Sequence, residues 1–122
     1  MPVEFSVEAD GTMTAAGAVY GAYGSSLPLA FVSVSFDGTK QSGTSNIRTT
    51  YNRTTRTYEI ALDGLHFNRA QYTAIATVSG WNGRPLFINT DDSADGKLLV
   101  DLRDINGSLG QADFQVVVFK AH

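Results

Sequence analysis

Apolar and polar residues alternate along most of this chain with a period of two, the pattern of strands that bury one face. Val3 to Glu8 sets Val3, Phe5 and Val7 against Glu4, Ser6 and Glu8. Ala30 to Phe36 puts Ala30, Val32, Val34 and Phe36 on one side and Phe31, Ser33 and Ser35 on the other. Arg56 to Leu62 sets Tyr58, Ile60 and Leu62 opposite Thr57, Glu59 and Ala61, and Lys97 to Arg103 repeats the pattern. Tyr72 to Val78 is β-branched and aromatic, which is strand chemistry. Asn46 to Tyr51 and Pro85 to Asn89 are less marked strands. Phe114 to Phe119 hardly alternates, as in a strand apolar on both faces: one central to a sandwich or one packed on a neighbouring subunit. No window carries a helical stripe; Leu65 to Tyr72 comes nearest and is expected not to be helical.

Turn signals separate these runs. Asp-Gly occurs at Asp10-Gly11, Asp37-Gly38, Asp63-Gly64 and Asp95-Gly96, and Asn-Gly at Asn82-Gly83 and Asn106-Gly107. Both dipeptides tolerate the positive φ of tight hairpin turns. The prediction is an all-β chain, an antiparallel β-sandwich or jelly roll of about eight or nine short strands. Residues 1–25 read as a short β-stem or N-terminal hairpin, with Gly21 to Pro28 as connector, and residues 26–122 as a globular head.

Composition narrows the function more than the fold. The 122 residues suit one compact domain, and 12 glycines against 3 prolines suit many tight turns. No cysteine is present, which excludes disulfides and thiol chemistry. A net charge of −3 argues against general nucleic-acid binding, which needs a positive surface. No apolar run approaches the roughly 20 residues of a membrane span. The start, Met1 to Phe5, lacks the basic region and apolar stretch of a signal peptide.

Candidate chemistry is sparse. His66 and His122 are the two histidines, so a serine triad has His66 as its one internal base. No Gly-x-Ser-x-Gly elbow or phosphate loop is present, and of the twelve acids the nine aspartates lie mostly in turns. No catalytic residue is assigned and the chain is not expected to be an enzyme. Asp91, Ser93 and Asp95 stand at alternate positions before Gly96, as in the first half of a calcium loop. Leu102 occupies the position where such a loop needs a bidentate glutamate, and an Asp-rich turn accounts for the same letters without an ion. No other cofactor is expected.

Two clusters suit a ligand better. Trp81, Asn82 and Arg84 combine an aromatic face with amide and guanidinium donors, the equipment for stacking on a sugar ring and bonding its hydroxyls. The plainer alternative is Trp81 packed on the sandwich edge beside a hairpin turn. Arg48, Tyr51, Asn52, Arg53 and Arg56 form a basic patch in an acidic chain, suited to an anionic glycan, to acids on a neighbouring subunit, or to solvent alone.

The segment Phe5-Ser6-Val7 with Asp10-Gly11-Thr12 and Ala15-Ala16-Gly17 resembles the short repeats of intertwined β-stems in bacteriophage tail fibres and related trimeric fibre proteins. The remainder resembles their small C-terminal tip domain, at Val34 to Thr39, Asn46-Ile47, Tyr58 to Ile60, Ala70 to Tyr72 and Phe114 to Phe119. That tip family is similar to the trimeric jelly-roll heads of complement-type and tumour-necrosis-factor-like proteins. The resemblance covers nearly the whole chain and implies a homotrimer, on a virion or otherwise outside the cell, whose tip binds a receptor or surface glycan. It transfers no binding residue, because the family has no fixed binding motif. The alternatives are a purely structural trimerisation head for a fibre and a hydrolase domain acting on surface polysaccharide.

Overall fold

A computed structural model describes residues 5–7, 13–15, 27–80 and 83–120. Phe5–Val7 (β1) and Met13–Ala15 (β2) pair antiparallel in a two-stranded sheet of their own, with Phe5 opposite Ala15. The Asp10-Gly11 turn and the boundary near residue 25 lie outside the described residues.

Nine further antiparallel strands form two sheets around one core: Ala30–Val34 (β3), Lys40–Gly43 (β4), Ile47–Asn52 (β5), Thr57–Leu62 (β6), Tyr72–Val78 (β7), Phe87–Asp92 (β8), Leu98–Arg103 (β9), Leu109–Gly110 (β10) and Phe114–Lys120 (β11). The first sheet runs β8-β9-β6-β5, with short β10 continuing the β6 edge of β9. The second runs β4-β3-β11-β7. No helix occurs among the described residues, and the fold is a β-sandwich.

The period-two pattern explains the core directly. Ala30, Val32 and Val34 of β3 and Phe114, Val116 and Val118 of β11 face Tyr58, Ile60 and Leu62 of β6 and Leu98, Val100 and Leu102 of β9, all buried. Each of the valine, leucine, isoleucine and phenylalanine side chains contributes roughly 1.5–3 kcal/mol by leaving water. Phe67, in the crossing from β6 to β7, is buried with them and stacks on Tyr72 at 6.1 Å.

β11 is central, paired with β3 on one side and β7 on the other. Its inner face is buried, while Val117 and Phe119 on the outer face are only partly covered. β4 has no apolar alternation to announce it: Lys-Gln-Ser-Gly lies on the sheet edge with three of four residues exposed. Asp63-Gly64 likewise makes no hairpin; it begins the crossing between sheets.

Candidate functional site

At one end of the sandwich the turn between β3 and β4 meets the turn between β5 and β6. β3 stops at Val34, where the Ser35 amide donates to the Thr39 carbonyl (2.8 Å) and the Gly38 amide to that of Ser35 (2.9 Å). Gly38, at φ 92°, presses on β5: a Cβ there would stand 2.6 Å from the Tyr51 nitrogen. Thr49 Oγ1 donates to the Gly38 carbonyl at 2.7 Å. The Thr39 amide donates to Asp37 Oδ1 (3.0 Å), and that bond holds the Asp37 carboxyl below its ordinary value.

This turn carries Phe36 out of the core position its alternation predicts and leaves it 57% exposed. Its backbone is held from three directions. The amide donates to Asp113 Oδ1 at 2.8 Å, and the carbonyl accepts from Tyr58 Oη (2.5 Å) and Gln111 Nε2 (3.0 Å). Tyr58 is fully buried, and burial pushes its phenol up to about 12, so it stays a donor through the physiological range.

The opposite rim is the β5–β6 turn. Asn52 Oδ1 accepts from the amides of Thr54 (3.0 Å) and Thr55 (3.2 Å), while the Arg56 amide donates to the Asn52 carbonyl (2.7 Å). Arg56 takes φ 58°, the one positive-φ residue other than glycine among those described. An L-residue there costs roughly 1–2 kcal/mol, and such strain concentrates at functional sites. Its guanidinium donates to the Leu109 carbonyl at 2.7 Å, tying the turn to β10.

Between the rims lies a cleft of about 440 Å³, lined by Phe36, Asp37, Tyr51, Arg53, Arg56 and Gln111. That volume is in the range of small-molecule sites. The Tyr51 ring leans on buried Tyr58, centroids 4.7 Å apart and 53° inclined, so the Tyr51 ring rests on a fixed support. Two arginines against one aspartate make the lining net positive in a chain of net charge −3. Among the described residues neither Arg53 nor Arg56 joins an ion pair. The cleft therefore offers an exposed phenyl face, guanidinium and amide donors, and one acceptor carboxylate.

Three predicted binding residues, Tyr51, Arg53 and Arg56, thus come together in one cleft. Arg84 also approaches this end: its guanidinium lies 3.9 Å from where a Cβ on Gly110 would stand, beside the Leu109 that Arg56 bonds. Trp81, Asn82 and His122 lie outside the described residues. Arg48 is elsewhere, paired with Asp63 at 2.9 Å, and Asn52 spends its side chain on the turn and on Glu59. His66 is exposed in the β6–β7 crossing, its ring over Gly96. Asp91 pairs with Arg69 at 3.5 Å, whereas Asp95 bonds Ser93 Oγ and pairs with Lys97 at 3.6 Å. Among the described residues no three His, Asp or Glu side chains gather as a metal would require.

Sequence reasoning missed Phe36, Asp37 and Gln111. Asp37-Gly38 carried a usable signal, since a turn there ends the strand before Phe36. Gln111 lies 75 residues away and joins only through the fold. No protein-family model, curated protein or solved structure matches the chain.

Proposed function

We propose that this protein is a non-enzymatic attachment module whose end cleft binds an anionic surface glycan, acting as a homotrimer at the tip of a fibre outside the cell. The observation that carries the reading is Phe36, an exposed aromatic on a backbone held by three side-chain bonds beside Tyr51, Arg53 and Arg56. A backbone held in advance leaves less to be ordered on binding, and guanidinium groups favour carboxylate or sulfate. Chain direction supports a tip as well. The sandwich begins at Leu29, whose amide bonds the Val118 carbonyl, and the cleft opens at the other end of β3. Asp37 is the one acid in the lining, whereas glycoside hydrolysis uses two carboxylates.

A structural role in trimer assembly is the second reading, favoured by the exposed apolar side chains Phe31 and Ile75 on the outer face of β3 and β7. An array of acidic and neutral glycans separates them. Attachment predicts binding to acidic glycans that weakens with salt, and Phe36→Ala lowers affinity at least tenfold while leaving the melting temperature within a few degrees. A blank array from a trimeric sample assigns the protein to assembly. Release of reducing ends from a polysaccharide, abolished by Asp37→Asn, replaces attachment with hydrolysis.

A further inference from the structure

The two outer faces of the sandwich differ in charge. On the sheet β8-β9-β6-β5 every long strand turns a charge outward: Asp91, Asp101 and Arg103, Glu59, and Arg48, four of them in ion pairs within that face or with its neighbours at 2.9–3.3 Å. On the other sheet the pairing aligns Phe31, Val117 and Ile75 in one row across β3, β11 and β7. Alternation points this row away from the core, because Val32, Val116, Val118, Ala74 and Ala76 between them face inward. Phe31 is 49% and Ile75 57% exposed. The flanking rows are Phe119 with Thr73, and Ser33 with Gln115 and Thr77, so these rows across β3, β11 and β7 carry no charge.

We infer that this face is where copies of this chain meet one another. The inference rests on the trimeric reading above for its stoichiometry alone. A chain of net charge −3 repels its own copies generally, and an uncharged face is where two copies approach without like-charge contact. Depletion of charge around aromatic and aliphatic side chains is also the composition of interface cores. Four strands at about 4.8 Å spacing and roughly 20 Å length present a plane of about 400 Å² per copy. Two such planes mated face to face reach, with side-chain relief, about 1,000 Å² in total, near the least that a biological interface buries. The row runs across the strands and the cleft opens at their ends, so copies joined by this face about an axis parallel to the strands direct their clefts the same way.

Light scattering of the full chain and of Ile75→Lys tests the inference, with circular dichroism to verify folding. The wild type is expected at about three times 13.1 kDa and Ile75→Lys at about 13.1 kDa with an unchanged spectrum. A second readout uses the absence of native cysteine: the thiol of Ile75→Cys is expected to react at least tenfold more slowly than that of Thr50→Cys on the charged face. A wild-type monomer overturns both this interface and the trimeric reading. An oligomer that persists in Ile75→Lys, with the Ile75→Cys thiol as reactive as that at position 50, overturns the interface and leaves the trimer standing. A dimer dissociated by Ile75→Lys supports the interface and removes the trimer.

Discussion

Glu59 is held at mid-strand on the charged face by two donors, Asn52 Nδ2 at 2.8 Å and Lys97 Nζ at 3.0 Å. The Asn52 bond first, then that of Lys97, lowers its pKa from the ordinary 4.5. A carboxyl depressed on folding adds stability that is present above its unfolded value and lost as pH falls through its folded one. Lys97 is shifted the other way, chiefly by the Glu59 bond; its share is present below its ordinary 10.5 and lost as pH rises through the raised value. Glu59→Gln should therefore be less stable than wild type near pH 6, and the gap should close as pH falls through the lowered Glu59 value. The gap is small, since solvent screens an exposed ammonium. Urea midpoints measured at several pH values check it; a gap that does not vary with pH rules out the carboxylate as its source.

At the level of elements, Asp-Gly turns do two different jobs, and glycine substitutions separate them. Gly38 and Gly64 both have positive φ, 92° and 72°. A Cβ at Gly64 meets nothing within 4 Å, so Gly64→Ala should cost only the conformational penalty of about 1–2 kcal/mol. At Gly38 the added carbon strikes the Tyr51 backbone at 2.6 Å, which must move, and Gly38→Ala should cost at least about 3 kcal/mol. Denaturant midpoints at constant slope measure both; equal costs would mean that the β3–β4 turn yields freely. Both glycines sit in the same dipeptide, so the sequence announces two turns and conceals which one is packed. The runs to Leu62 and Arg103 were legible because burial of alternate residues writes itself into hydropathy, and Tyr72–Val78 because its residues are β-branched and aromatic. β4 was not, because an exposed edge strand is held by backbone bonds to β3 and by Lys40, whose ammonium donates to the Thr44 and Ile47 carbonyls. The cleft was half legible for the same reason. Tyr51, Arg53 and Arg56 are neighbours in sequence, whereas Phe36 and Gln111 reach them only across the sandwich.

At the scale of the whole molecule, the end cleft and the side face of β3, β11 and β7 make a joint demand on binding. A shallow site with a handful of polar contacts gives weak affinity, and joining sites raises avidity by roughly 10²–10⁴ where their geometry allows simultaneous engagement. Ile75 lies in mid-strand on β7, on the outer face of the sheet, and does not line the cleft. Ile75→Lys should consequently leave affinity for a soluble monovalent acidic sugar unchanged while lowering binding to a dense surface of that sugar by about two orders of magnitude or more. Phe36→Ala should weaken both. Surface plasmon resonance on sparse and dense glycan chips, with the soluble sugar as competitor, measures the two quantities in one sample. Equal losses for Ile75→Lys in both formats would mean that the side face acts through the cleft itself, and attachment would then require no assembly.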